Sequence, residues 1–383
     1  MKTLSMARSS KARVVIAGGG VAALEAAIAL HDLAGDRAEV ALYSPREDFI
    51  YRPFAVAEPY GASRPMRYDL TELADRCGAG FHRAAIASVD AEAQSVRTHG
   101  GEEIGYDHLI VACGTRLLAG ISGAVTFWGV PDDAKVQDVV RDLREHKLRR
   151  VAFTMPGGGT WALPMYELAL LAGAELAKEG IEDASLVVVT PEDAPLHLFG
   201  RAAGERVGEL LAERGIEVVT KAMPIHFADG TLSVTRRAAI EADAVISLPR
   251  MEGRRIPGVP HDLAGFIPVD EHSRVRGARN VYAAGDVTSF AVKQGGIATQ
   301  QADAAAEAIA AELGCDVAAE PLDPVLRGVL WTGGKPLYLC GHLAGGHGET
   351  SSASNEPAWE GAAEGKIAGR YINRALDLSP AAR

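Results

Sequence analysis

A short apolar run at residues 13–17, Arg-Val-Val-Ile-Ala, ends in Gly18-Gly19-Gly20 and passes directly into an alanine- and leucine-rich stretch from 21 to about 33. That pattern reads as strand, tight turn and helix, and a second strand at 39–43 closes a β-α-β unit of about 30 residues. Within it, Gly18-x-Gly20-x-x-Ala23 stands where the strand ends. Its glycines permit a sharp turn and the close approach of a pyrophosphate, and Ala23 lets helix and strand pack closely. The helix start then presents N–H groups and a favourable dipole to phosphate. Alone, such a spacing is weak.

The chain repeats its own plan. Residues 150–155 read as strand, followed by a Gly/Pro turn, a helix at 163–178 and a strand at 186–190. Between the two units lie a Pro-rich loop at 44–65, a helix at 70–77 and strands at 81–89, 94–99 and 106–112. After a helix at 202–214 and short strands to 248, a strand at 280–283 runs into Gly285-Asp286, and a helix follows at 296–313. The tail from 324 has two strand-like runs and a closing helix at 365–376. The expected fold is α/β, with two Rossmann-like dinucleotide-binding domains, the second inserted into the first. The expected boundaries are 1–115 and 251–320 for the first domain and 116–250 for the second. Residues 321–383 would form a small C-terminal α+β region serving an interface or an acceptor site.

With 383 residues, 48% of them hydrophobic and 23% charged, the chain has material for two packed domains. Its net charge of −11 opposes a grip on a phosphate backbone, so nucleic acid is not an expected partner. Cys77, Cys113, Cys315 and Cys340 lie far apart, without zinc-site or secreted-framework spacing. The stretch before Arg13 has no apolar core long enough for a signal peptide, and no run reaches membrane-spanning length. A reducing cytoplasm is expected, with membrane contact at most peripheral, on the inner face.

Three further segments decide how the glycine turn is read. Tyr106 to Thr115 is a strand ending in a small-residue turn. Asn280 to Asp286 is a strand ending in a carboxylate, and Lys293-Gln294-Gly295 precedes a helix start. With these in this order, the sequence resembles the two-dinucleotide-binding-domain flavoproteins of the pyridine nucleotide-disulfide oxidoreductase superfamily, over roughly residues 12–313. The resemblance implies FAD, with Gly18, Gly20 and Ala23 at its pyrophosphate and Ala112, Cys113 and Gly114 against the adenosine side. It implies Gly285 and Asp286 at the ribityl chain, and Lys293, Gln294, Gly295, Arg52 and Pro53 near the isoalloxazine ring. Cys113 reads as a small buried group beside the cofactor. The second strand ends in Ser44 where many relatives carry an acid for a ribose hydroxyl; either Ser44 or Glu47 takes that role.

The segments Ser44 to Pro53, Pro164 to Ala169 and Ala298 to Gln301 look most like the branch containing sulfide:quinone oxidoreductases and type II NADH dehydrogenases. The chain matches neither completely. Its second turn, Gly157-Gly158-Gly159-Thr160-Trp161-Ala162, is crowded by Pro156, Trp161 and Pro164, and the next strand ends in Thr190-Pro191-Glu192 without an exposed acid at its tip. NAD(P)H binding there is expected to be poor. Sulfur transfer needs paired cysteines beside the flavin; Trp161 stands near the first expected position, and Cys340 alone is placed to return to the flavin.

The expected function is an FAD-dependent oxidoreductase passing electrons from a small reductant to a quinone or other small acceptor. Lys293 would tune the flavin, and Gln300 and Gln301 would contact the acceptor. The alternatives are an NAD(P)H-dependent reductase, or a flavin-binding scaffold or partner subunit. The closing helix, with Ile367, Tyr371 and Ile372 beside basic residues, is read as packing within a domain or a homodimer in preference to lying on a membrane. Residues 341–355 read as a loop over the flavin. His342, His347 and Glu349 in that loop have no element to fix ligand geometry, and no metal is expected.

Overall fold

The computed structural model describes residues 11–158, 161–344, 347–376 and 378, with the backbone alone at 344 and 347–350. Ala12–Ala17 is the centre of a five-stranded parallel sheet in the order Val281–Ala283, His108–Val111, Ala12–Ala17, Ala38–Ser44, Gly80–Arg83. Both faces are covered, which is why the run is uniformly apolar. Val14 and Ile16 face the alanine-rich helices Val21–Ala34 and Gly295–Glu312, whose small side chains let them pack closely together. Val15 and Ala17 face a meander of Ile86–Asp90, Ser95–Thr98 and Glu103–Gly105.

A second parallel sheet repeats the design in the order Val125–Thr126, Ala244–Ser247, Arg150–Thr154, Ser185–Val189, Glu217–Val219. The Leu163–Glu179 helix covers one face, and a meander of Pro224–Ala228, Thr231–Val234 and Ile240–Glu241 covers the other. Because Val281–Ala283 returns to the first sheet after the second is complete, the second unit is inserted into the first. Arg116–Leu118 and Arg250–Glu252 pair antiparallel where the chain leaves and returns. The α/β fold with two Rossmann-like sheets is therefore as read from sequence.

Several local expectations are corrected. The stretch 44–65 is not a plain loop: Asp48–Tyr51 pairs antiparallel with Met66–Asp69, and Arg52–Tyr60 forms a 3₁₀ helix. The strand expected at 81–89 is two, Gly80–Arg83 and Ile86–Asp90, in different sheets. An unexpected helix, Ala134–Arg144, buries Val136, Val139, Val140 and Leu143 at helical spacing. The tail holds three strands, Val325–Leu330, Leu337–Ala344 and His347–Ser354, so the expected loop at 341–355 is largely sheet. Its small polar residues fit because backbone pairing carries them and Ser351 Oγ accepts from Ala203 N (3.1 Å) at the start of the Arg201–Glu213 helix.

The closing helix shrinks to Ile372–Ala375. Ahead of it, backbone N–H groups bond side chains: Lys366 and Ile367 donate to the Tyr51 hydroxyl, at 2.7 and 3.0 Å, and Tyr371 and Ile372 to Glu25. Glu25 thereby takes the place of the carbonyls that a helix would supply to Tyr371 and Ile372. Ile367, Tyr371 and Ile372 are buried in the chain's own first core.

Candidate functional site

The carboxyl ends of the first sheet open into one cavity of about 1140 Å³, the place where open α/β sheets take dinucleotides. At its floor the Ala12–Ala17 strand turns sharply. A Cβ on Gly18 would fall 2.2 Å from the Ala112 carbonyl oxygen, whereas one on Gly20 would meet no protein atom within 4 Å. Gly18 thus serves backbone contact, and Gly20 borders open space. The Val21–Ala34 helix starts there with no side-chain cap and no acid in its first turn, so its first N–H groups face the cavity unopposed. Ala23, wholly buried, packs the helix on the sheet and does not line the cavity. These features fit a pyrophosphate.

Ser44, Ala112, Cys113 and Gly114 line the same side. Ser44 Oγ accepts from Arg46 N (3.1 Å), while Glu47 turns outward to Arg83 (2.7 Å); of the two, Ser44 is the one that faces the cavity. Burial raises the Cys113 thiol to about 11, which leaves it an inert protonated group. Arg254 Nε donates to the Cys113 carbonyl (3.0 Å) and brings a positive charge to the wall.

Arg52, Pro53, Gly285, Asp286, Lys293, Gln294 and Gly295 also line the cavity. Burial pushes the Asp286 carboxyl above its ordinary range, while Lys293 and Arg52 pull it back. Lys293 donates to the Thr288 carbonyl and lies 4.0 Å from the centre of the Phe266 ring. Burial lowers it to about 8, against the pull of Asp286 and Asp262. Gln294 caps the Gly295–Glu312 helix through Ile297 N (2.9 Å) and donates to the Arg327 carbonyl (3.0 Å). That helix start is thereby aimed at the cavity.

Besides Ala23, three expected residues are not on the wall. Gln300 bonds the Gly296 and Val325 carbonyls and Val325 N, anchoring the first strand of the tail sheet. Gln301 accepts from Gly285 N (2.8 Å) and donates to Thr288, shaping the turn beneath Asp286. Their amides are consumed by the protein, so acceptor contact is corrected to a supporting role. Cys340 sits in the middle strand of the tail sheet opposite Arg327, away from the lining.

Two residues given no role from sequence lie on the wall instead. Glu167, on the Leu163–Glu179 helix, and Lys366, ahead of the short final helix, are both buried and joined by a hydrogen-bonded ion pair. Glu167 Oε1 also accepts from Trp331 N (2.8 Å), and Lys366 Nζ lies 4.6 Å from the Trp331 ring centre. Trp331 stacks in turn on Phe54, at 5.2 Å. Burial pushes Glu167 up and Lys366 down, each opposed by the other, so burial favours the neutral form of both. The signal was an acid inside the otherwise apolar stretch 163–173 of that helix, a residue that must find a partner when buried.

The second turn departs from a nucleotide site. Gly159 and Thr160 lie outside the described residues. Trp161 lines the first cavity, its ring tilted on Phe199 at 5.6 Å. The Met223 thioether lies against Gly157, within 2.8 Å of where a Cβ would stand. Glu192 is buried and turned inward, accepting from the Tyr166 hydroxyl (2.7 Å) and the Thr190 hydroxyl (3.0 Å). Of the two acids after the Ser185–Val189 strand, Glu192 is thus taken up inside the protein, and the exposed Asp193 stands beside Lys221 (3.8 Å).

The chain belongs to the pyridine nucleotide-disulphide oxidoreductase family, whose model matches residues 12–308, and is an FAD-dependent oxidoreductase of that family. Among individual proteins it is similar to the sulfide-quinone reductase of Aquifex aeolicus, 29% identical over 217 residues, a match spanning 53% of this chain and 49% of that protein. It is 25% identical over 303 residues to the demethylphylloquinone reductase NdbB of Synechocystis, covering 72% of each. The solved sulfide:quinone oxidoreductase of A. aeolicus shares the fold with a TM-score of 0.78 at 20% identity, over 90% of this chain and 87% of that one. Among the described residues no helix is long and apolar enough to cross a membrane.

Proposed function

We propose that this protein takes an electron pair from a small reductant other than a nicotinamide nucleotide and passes it to a quinone, in a cytoplasmic setting at the inner face of the membrane. The observation that carries the reading is the buried Glu167–Lys366 pair on the cavity wall. A quinone that gains two electrons also takes up two protons, and a buried acid–amine pair whose neutral forms burial favours is suited to hold and release one. FAD, when bound, supplies two-electron transfer. The Gly18 turn and the uncapped helix start would hold its pyrophosphate, Asp286 would accept from its ribityl hydroxyls, and Lys293 would keep a positive charge by its ring. The names of the two quinone reductases above support this acceptor class.

The choice of donor rests on two absences at the site. With Glu192 turned inward, a nicotinamide ribose loses a charged acceptor, costing roughly 1.5–3 kcal/mol or about 10- to 150-fold in affinity. Cys113 is the only cysteine on the wall among the described residues, so no thiol pair is in place to relay sulfur. Anaerobic titration with NADH, NADPH and sulfide tests this: none of the three should bleach the flavin at low micromolar concentration. Bleaching by NADH would move the protein to the nicotinamide-dependent reductases, and rapid bleaching by sulfide would reinstate a thiol relay.

A further inference from the structure

The segment ahead of the final helix is pinned at both ends. At one end Lys366 and Ile367 form part of the cavity wall. At the other, Glu25, wholly buried on the Val21–Ala34 helix, accepts from Tyr371 N (2.9 Å) and Ile372 N (2.6 Å). Between them the Thr299 hydroxyl donates to the Ala368 carbonyl (2.9 Å). Gly369 lets the backbone come close: a Cβ there would lie 3.1 Å from Glu25 Oε2. One turn along the Gly295–Glu312 helix from Thr299, Asp303 meets Glu25, and its Oδ1 is buried with no donor in reach. Two facing carboxyls with an unsatisfied oxygen form an arrangement that one shared proton completes.

We propose that Glu25 and Asp303 share a proton that locks residues 366–372 against the two helices, and that losing it at alkaline pH frees this strap and withdraws Lys366 from the cavity wall. The inference stands apart from the choice of donor and acceptor. Burial raises Asp303 to about 8, reinforced by Glu25 and Glu307 and opposed by Arg370. Burial also pushes Glu25 up, against the N–H groups it accepts from. The other charged groups facing the pair are Arg370, bound to Glu307 (3.3 Å), Arg374, bound to Asp32 (3.4 Å), Glu320 near Glu307, and Tyr371. The arginines keep their charge throughout, and burial raises the Tyr371 phenol further. For an acid raised by folding, the hold is complete while the proton is bound and is lost as pH rises through about 8.

Trypsin cleavage at the exposed Arg370 and Arg374 of the purified holoprotein reads the strap directly. Rates are normalised at each pH to a free peptide of residues 366–376. Between about pH 7 and about pH 9.5 the ionised fraction of a group near 8 rises roughly tenfold, and the wild-type rate should rise with it. Asp303→Asn, whose amide can donate to Glu25, and Asp303→Ala, which removes the second carboxyl, should both cut at a rate that does not change with pH. A wild-type rate that stays constant, or a rise that persists in either folded variant, overturns the proposal.

Discussion

Asp286 and Lys293 face the same space with opposite charge, and each is shifted by burial toward its neutral form. Such a cost is sustained where charge is used, and a cavity that takes a flavin is a place to use it. Asp286→Ala should therefore weaken FAD binding by about 10- to 150-fold, the loss expected when an ionised acceptor is removed from a hydroxyl donor. The ratio of flavin to protein absorbance after gel filtration checks this, and undiminished flavin content would remove Asp286 from the site. The family resemblance pointed to both residues, because each belongs to a contiguous segment. Glu167 and Lys366 escaped because 199 residues separate them, and only the fold shows that each is the other's partner.

At the scale of elements, the β-α-β units were legible because their strands are buried on both faces and their turns are marked by glycine. Gly18 and Gly20 carry different burdens, and substitution should separate them. Gly18→Ala drives a Cβ into the Ala112 carbonyl at a φ of +154°, which should cost about 1–3 kcal/mol of stability together with the flavin. Gly20→Ala meets no protein atom and should leave the melting temperature of the apoprotein unchanged while filling room the pyrophosphate would take. Equal melting losses in both variants would contradict this assignment. Other elements were not legible, for physical reasons. The Ala134–Arg144 helix hides five apolar residues among six polar ones, and the His347–Ser354 strand is carried by pairing without an apolar alternation. The helix expected at 365–376 gives way where Glu25, more than 300 residues away, takes the N–H groups of Tyr371 and Ile372.

For the molecule as a whole, two copies of one fold have diverged in use. In the first, the sheet opens on a cavity with an uncapped helix start. In the second, Glu192, after the Ser185–Val189 strand, is turned inward, and Trp161 and Glu167 reach across to the cavity of the first. The second unit then serves as a wall, to which Lys366 and Ile367 also contribute. Gln300 and Gln301, expected from sequence to contact the acceptor, instead hold the tail sheet and the turn beneath Asp286, while Gln294 ties the cavity wall to the tail sheet. The most direct measurement is anaerobic stopped-flow mixing of the dithionite-reduced protein, freed of excess reductant, with a short-chain quinone, followed by flavin absorbance. The expected result is rapid reoxidation by quinone, slowed about tenfold or more in Glu167→Gln, whose flavin content should stay normal. Reduced flavin that persists in the presence of quinone, or a Glu167→Gln rate equal to wild type, would contradict the proposed route.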